Sequence, residues 1–146
     1  MNPNVAPASL RQITILLVDD HRLVREGVRM RLEAEADLRV IAEAADGEQA
    51  LRLAVAHRPT LLLTDLRMPG MDGLALVRAC ARQMPEMAAV VLSLHDGPAY
   101  VEQAVRAGAR GYVAKHAPAE RLVAAIRAVG RGGRFFGCGA GGAHGR

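Results

Sequence analysis

Short apolar runs alternate along this chain with stretches in which apolar residues recur every three or four positions. Ile13-Thr14-Ile15-Leu16-Leu17-Val18 is the first run, and it stops at Asp19-Asp20-His21. An apolar run of this length bounded by polar residues predicts a buried strand. Arg22 to Glu35 follows with Leu23, Val24, Gly27, Val28, Met30 and Leu32 at helical spacing and charges between them, which predicts an amphipathic helix with those side chains inward. Leu38 to Ala44 predicts a second strand. Asp46-Gly47 opens a second helix with Ala50, Leu51, Leu53, Ala54 and Val55 inward, and Pro59 closes the connection after it.

The third unit is the one on which the others converge. Leu61-Leu62-Leu63-Thr64 delivers Asp65 at its carboxyl end, just before the turn Met68-Pro69-Gly70-Met71-Asp72-Gly73. A helix from about Leu74 to Met84 is stopped by Pro85. Ala88 to His95 predicts the fourth strand, and Pro98 to Ala107 a short, weakly apolar and mobile helix ended by Gly108. Gly111 to Ala114 is the fifth strand, Lys115 follows it, and Pro118 to Val129 is the last helix, apolar at Leu122, Val123, Ala125, Ile126 and Val129. Five strands alternating with five helices, without hairpin signals or an internal repeat, predict an α/β fold: a doubly wound, five-stranded parallel sheet covered on both faces.

In such sheets chemistry gathers outside the carboxyl ends of the strands. Asp19 and Asp20 end the first strand, Asp65 the third, Ser93 lies near the end of the fourth, and Lys115 ends the fifth. Each has a plainer reading taken alone. Asp65 or Asp20 could cap the helix that follows, Ser93 could be a core hydroxyl bonded to backbone, and Lys115 a solvated strand end. Taken together they point elsewhere. Lys115 is the one lysine among nineteen basic residues, and an ammonium is a compact point charge suited to phosphate or carboxylate. Three converging carboxylates need a counter-ion, for which a hard divalent cation, Mg²⁺ retaining several waters, is the expected occupant. With the cation and Lys115 neutralising the equatorial oxygens of a phosphoryl group and Ser93 donating a hydrogen bond, Asp65 is poised to attack in line. The product is an aspartyl phosphate.

Composition narrows the class further. The chain has 146 residues, 51% of them apolar and 3% aromatic, enough for one domain with a core of Ala, Val and Leu. No stretch approaches the roughly 20 apolar residues of a membrane span, and Met1 to Gln12 holds no signal-peptide core. A soluble cytoplasmic protein is expected, with no membrane partner. Cys80 and Cys138 fit neither a disulfide framework nor a zinc spacing, so reduced thiols are expected. Of the net charge of +4, Arg131, Arg134 and Arg146 supply three, and acids are interleaved through the rest. A folded basic face, and with it direct DNA binding, is not expected.

Asp19-Asp20, Asp65 with the Met68 to Gly73 turn, Ser93, the run Ala107-Gly108-Ala109-Arg110-Gly111-Tyr112, and Lys115 together resemble a two-component response-regulator receiver domain. The resemblance covers roughly Ile13 to Arg131. The run Asp19-Asp20-His21-Arg22-Leu23-Val24-Arg25-Glu26-Gly27-Val28 and the Ala107 to Tyr112 run are similar to the NarL/FixJ, LuxR-type subfamily, whose members usually carry a C-terminal helix-turn-helix. The resemblance implies a flavodoxin-like (βα)5 receiver fold, a histidine kinase as phosphoryl donor, and Asp65 as phosphoacceptor. It implies Mg²⁺ held by Asp19, Asp20, Asp65 and the backbone carbonyl of Arg67, Ser93 and Lys115 on the phosphoryl group, and Ser93 with Tyr112 as the switch pair. It implies a signalling protein in transcription regulation that loses its phosphoryl group by autodephosphorylation and is not a turnover enzyme. Arg67 and His95 stand where the family tunes phosphoryl lifetime.

The chain departs from that pattern after Phe136, where Gly-rich sequence stands in place of the helix-turn-helix. The expected division is a disordered segment over residues 1–12, a receiver domain over 13–131 and a disordered tail over 132–146. Output is then expected through a protein surface. A Ser93 hydroxyl drawn to a phosphoryl group vacates space that Tyr112 can fill, its other position being half-buried with the hydroxyl in water. A phosphorylation-dependent symmetric homodimer is expected, through the face near Tyr100, Gly111 and the last helix or through the first and last helices. Two other readings stay open. An aspartate-nucleophile phosphatase needs a second acid two residues after its nucleophile, where this chain has Arg67. An interaction module without phosphoryl chemistry would not need the pocket residues that are all present.

Overall fold

The apolar runs become the strands of one parallel sheet in the computed structural model, which describes residues 11–136. In chain order the elements are β1 (Ile13–Val18), α1 (Arg22–Glu33), β2 (Leu38–Ala44), α2 (Gly47–His57), β3 (Leu61–Asp65), α3 (Gly73–Gln83), β4 (Ala88–Ser93), α4 (Pro98–Ala107), β5 (Gly111–Ala114) and α5 (Ala119–Gly130). The strand order is β2-β1-β3-β4-β5. Strand order therefore reverses between β1 and β3, and in doubly wound sheets the crevice at that reversal is where ligands bind.

Successive residues of a strand face opposite sides of the sheet, and the core divides accordingly. Ile13, Ile15 and Leu17 of β1, Leu61 and Leu63 of β3, and Val90 and Leu92 of β4 pack with Leu32 of α1 and with Leu122, Val123, Ala125, Ile126 and Val129 of α5. Leu16, Val18, Leu62, Ala89 and Val91 face the other way, against Ala50 and Ala54 of α2, Leu76, Val77 and Cys80 of α3, and Ala104 and Ala107 of α4. All five residues of β3 are buried, as expected of a central strand covered on both sides. Burial pushes the Cys80 thiol up to about 11. Asp46 caps α2 by accepting from the Gln49 N–H, and Asp72 caps α3 by accepting from the Ala75 N–H.

Three expectations about these elements need correction. The first is the apolar stripe of α1, of which only Leu32 is buried, while Leu23 is 83% and Met30 69% exposed. On that side of the sheet α5 covers β3, β4 and β5, leaving α1 to pack on β1 and β2. The helix packs through Leu32 and the half-buried Val28, and Arg25 and Arg29 both pair with Glu43 of β2. Val55 of α2 and Val105 of α4, read as inward, are likewise exposed. The second is β4, which stops at Ser93 because the His95 N–H turns back onto the Ser93 hydroxyl, leaving Leu94 70% exposed.

The third is the stretch after α5. Gly132 adopts φ +99, a conformation open to glycine, and the chain reverses. The Phe135 N–H then donates to the Arg110 carbonyl and the Tyr112 N–H to the Phe135 carbonyl, both at 2.9 Å, forming a parallel bridge to β5. Residues 132–136 are thus not the unstructured start of a tail. Residues 1–10 and 137–146, on which the rest of that expectation and Cys138 fall, lie outside the described residues. No helix among the described residues is long and apolar enough to cross a membrane.

Candidate functional site

Register places the candidate residues before any side chain is considered. Val18 of β1 pairs with Thr64 of β3, so Asp19 and Asp65 leave their strands side by side at the reversal of strand order. Asp65 pairs with Leu92, and Ser93 with Ala114, which carries Ser93 and Lys115 to the same edge. The Lys115 N–H closes that edge by donating to the Ser93 carbonyl at 2.7 Å.

The Lys115 ammonium donates to Asp19 Oδ2 at 2.9 Å and to Asp65 Oδ2 at 3.1 Å. All three side chains are shielded, at 12%, 4% and 9% exposure. Burial alone would lower the Lys115 pKa, but the hydrogen bond to Asp19 and the charges of Asp65 and Asp19 outweigh it and hold the ammonium protonated above its ordinary range. The other oxygen of each carboxylate is held by backbone. Asp19 Oδ1 accepts from the His21 N–H at 2.9 Å, and Asp65 Oδ1 from the Leu66 N–H at 2.7 Å. Arg25 fixes the loop from outside, donating to the Asp19 carbonyl at 2.6 Å.

Asp20 completes an acidic group. Its Oδ1 is a buried atom without a hydrogen-bond partner, and one ligand atom from each of Asp19, Asp20, His21 and Asp65 can be chosen so that all lie within 4.8 Å of one another. Three carboxylates with an orphaned buried oxygen among them fit a hard, oxygen-seeking divalent cation. Capping explains neither acid. The N-cap of α1 is His21, without a side-chain cap bond, and that of α3 is Asp72.

The remaining predicted residues divide. Ser93 is fully buried and its Oγ accepts from the His95 N–H at 3.0 Å, so the backbone-bonded reading of this hydroxyl describes its position. The Arg67 side chain is exposed and lines, with His21, Asp65, Leu94, His95 and Lys115, a cavity of about 280 Å³. Tyr112 is fully buried, with its hydroxyl donating to the His95 carbonyl, and not half-buried with the hydroxyl in water. The His95 ring in turn stacks on Tyr100 of α4, centroids 4.6 Å apart.

Two residues that shape the site carried no signal of it in the sequence. Arg25 reads there as one more charge on a helix face. Gly73 reads as the end of a turn, yet a Cβ at this position would overlap the Asp65 carbonyl oxygen, and its N–H donates to the Leu66 carbonyl at 2.9 Å. Only glycine lets α3 start this close to the phosphoacceptor candidate.

Comparison with known proteins agrees with this geometry. The family model described as the response regulator receiver domain matches residues 15–127. The transcriptional regulatory protein UhpA of Salmonella typhimurium is 43% identical over 125 residues, 85% of this chain and 62% of that protein. The transcriptional regulatory protein DegU of Brevibacillus brevis is 36% identical over 125 residues, 86% of this chain and 53% of that protein. This chain thus spans little more than half the length of these curated relatives. Among solved structures, a LuxR-family two-component response regulator from Aurantimonas sp. SI85-9A1 superposes with a TM-score of 0.82 at 37% identity, covering 85% of this chain and 89% of that one. With the family model spanning most of the described residues and the sheet order and site both accounted for, this chain belongs to the response-regulator receiver domains and is homologous to the LuxR-type regulators of two-component systems.

Proposed function

We propose that this receiver accepts a phosphoryl group on Asp65 from a histidine kinase in the cytoplasm, passes the change to a protein surface in the control of transcription, and loses the group by hydrolysis. The observation that carries this reading is the Lys115 ammonium held between Asp19 and Asp65. A cation so placed can exchange the Asp65 carboxylate for a phosphoryl oxygen while keeping Asp19, so the charge on the new group is met without rebuilding the pocket. Asp19, Asp20, Asp65 and the Arg67 carbonyl would hold Mg²⁺, which supplies further neutralisation of the transferring oxygens. The Leu66 N–H fixes the plane of the Asp65 carboxylate, and Lys115 limits its rotation.

Ser93 and Tyr112 carry the change outward. The Ser93 oxygen accepts from the His95 N–H, which leaves its own proton free to donate towards a phosphoryl oxygen. Because the His95 carbonyl accepts from Tyr112, a turn of the Ser93 hydroxyl is felt at Tyr112 and, through the ring stack, at α4. Modification then stabilises the inward Tyr112 and reshapes the surface of α4, β5 and α5, favouring a symmetric dimer through this face or through α1 and α5. Sedimentation with and without beryllofluoride, on the parent and on Tyr112→Ala, is expected to show association in the treated parent alone. Identical sedimentation of all four samples would remove the dimer.

The phosphatase reading is disfavoured by Arg67, which stands where a leaving-group acid is needed. The deciding experiment is intact mass after incubation with acetyl phosphate and Mg²⁺. One Mg²⁺-dependent phosphoryl adduct is expected on the parent and none on Asp65→Asn. Equal labelling of both places the nucleophile elsewhere.

A further inference from the structure

We propose that His21 is a ligand of the cation site, and that its imidazole moves the site's preference from Mg²⁺ towards divalent cations that accept nitrogen, Mn²⁺ among them. The proposal rests on the reading of the acidic group as a cation site and adds a residue to it. His21 Nδ1 lies 3.3 Å from Asp19 Oδ1 and 3.2 Å from Asp20 Oδ1. A nitrogen that close to two carboxylate oxygens is unfavourable unless a proton or a cation lies between them. One proton on Nδ1 can serve Asp19 Oδ1, with which the ring makes a hydrogen bond. It does not serve Asp20 Oδ1, which has no hydrogen-bond partner although the ring is at contact distance. A cation touching all three groups satisfies both oxygens and the nitrogen at once.

Apart from the two carboxylates, no contact among the described residues accounts for the position of the ring. The His21 side chain is 68% exposed and makes no cap bond to α1. Its backbone, by contrast, is pinned from both sides, the N–H by Asp19 Oδ1 and the carbonyl by the Arg25 N–H. The ring is therefore delivered to the mouth of the site by the chain and, among the described residues, held there by the two carboxylates. Imidazole suits Zn²⁺ and the later transition ions best and binds Mn²⁺ less tightly, whereas Mg²⁺ favours carboxylates and retained water and gains least from a nitrogen. A fourth donor that is nitrogen therefore discriminates among cations where three carboxylates would not.

The test reads cation binding in tag-free protein with no phosphoryl donor present. In the Mn²⁺-loaded parent, pulsed electron paramagnetic resonance is expected to show coupling to a directly bound nitrogen, and His21→Gln to lose it. By calorimetry His21→Gln is expected to bind Mn²⁺ about tenfold more weakly, the lower end of what even outer-shell partners of a metal are worth. Its Mg²⁺ affinity should stay within about twofold, since oxygen and water suffice for that ion. A melting curve matching the parent's checks that this exposed substitution leaves the fold intact. A parent that binds Mn²⁺ without nitrogen coupling, or equal losses for both cations in His21→Gln, overturns the His21 assignment and leaves the phosphoacceptor reading standing. A parent that binds neither cation removes the cation site itself, and Mg²⁺-dependent labelling of Asp65 with it.

Discussion

Lys115 and Gly73 act on the same few ångströms by opposite means, one by adding a charge and the other by leaving out an atom. Lys115 makes it possible to bury two carboxylates side by side, since burial of either without a partner would be costly. Gly73 lets the first turn of α3 lie against the Asp65 carbonyl, which fixes where the Asp65 side chain starts. Gly73→Ala is expected to destabilise the fold by about 3 kcal/mol, the upper part of the usual range for overpacking, because the clash is with backbone. Urea denaturation measures this directly. The same variant is expected to label more slowly with acetyl phosphate, and parent-like stability would show that α3 can shift without cost. The charge partner was legible in the sequence because a lone lysine at a strand end is conspicuous. The missing Cβ was not, because the approach of α3 to Asp65 is a tertiary distance that spacing does not encode. Ser93 and Tyr112 were legible as residues, but their orientations depend on the turn at His95.

At the scale of elements, β1, β3, β4, β5 and α5 were legible because their apolar positions coincide with burial, and α1 was misread because its apolar stripe does not. Leu23, Val24 and Met30 keep helical spacing with Leu32, yet α1 buries Leu32 alone, with Val28 half-buried beside it and Arg25 and Arg29 paired with Glu43. Hydrophobic spacing reports what a helix could bury; the area its neighbours leave open decides what it does bury. The segment at Phe135 is the converse case, a stretch without periodicity that nevertheless extends the sheet. One aromatic on each side does the packing, Phe135 towards the α1 and α5 side and Phe136 towards the side that holds Tyr112. The Tyr112 N–H donates to the Phe135 carbonyl. A chain ending at Gly133 is therefore expected to lose hydrogen-exchange protection at the Tyr112 amide, while one ending at Phe136 keeps it. Equal protection in both would show that this amide is shielded without Phe135.

At the scale of the whole molecule, the sheet is held along one side by an ion cluster far from the site. Arg127 of α5 donates to both carboxylate oxygens of Asp37 at 2.8 Å and to Glu35 at 2.7 Å, while Arg31 of α1 also pairs with Glu35. These contacts tie α5, which covers β3 to β5, to the connection between α1 and β2 at the opposite edge. The hydrogen bonds from Arg127 to Asp37 and from Arg31 and Arg127 to Glu35 hold both carboxyls below their ordinary values of 3.8 and 4.5. A carboxyl whose pKa falls on folding stabilises the fold above its unfolded pKa, and that contribution disappears as pH drops through the lowered folded value. Asp37→Asn is therefore expected to be less stable than the parent by about 1 kcal/mol at pH 7, a modest figure because the guanidinium remains open to water. The difference should hold from pH 7 to pH 5, shrink as pH falls below the ordinary carboxyl range of 3.8 to 4.5, and close in stronger acid. Added salt should reduce it at pH 7, since the pairs are within reach of screening ions. Urea midpoints of parent and variant across this range give the measurement. A difference that persists in strong acid would mean that Asp37 acts through packing or through its backbone and not through its charge.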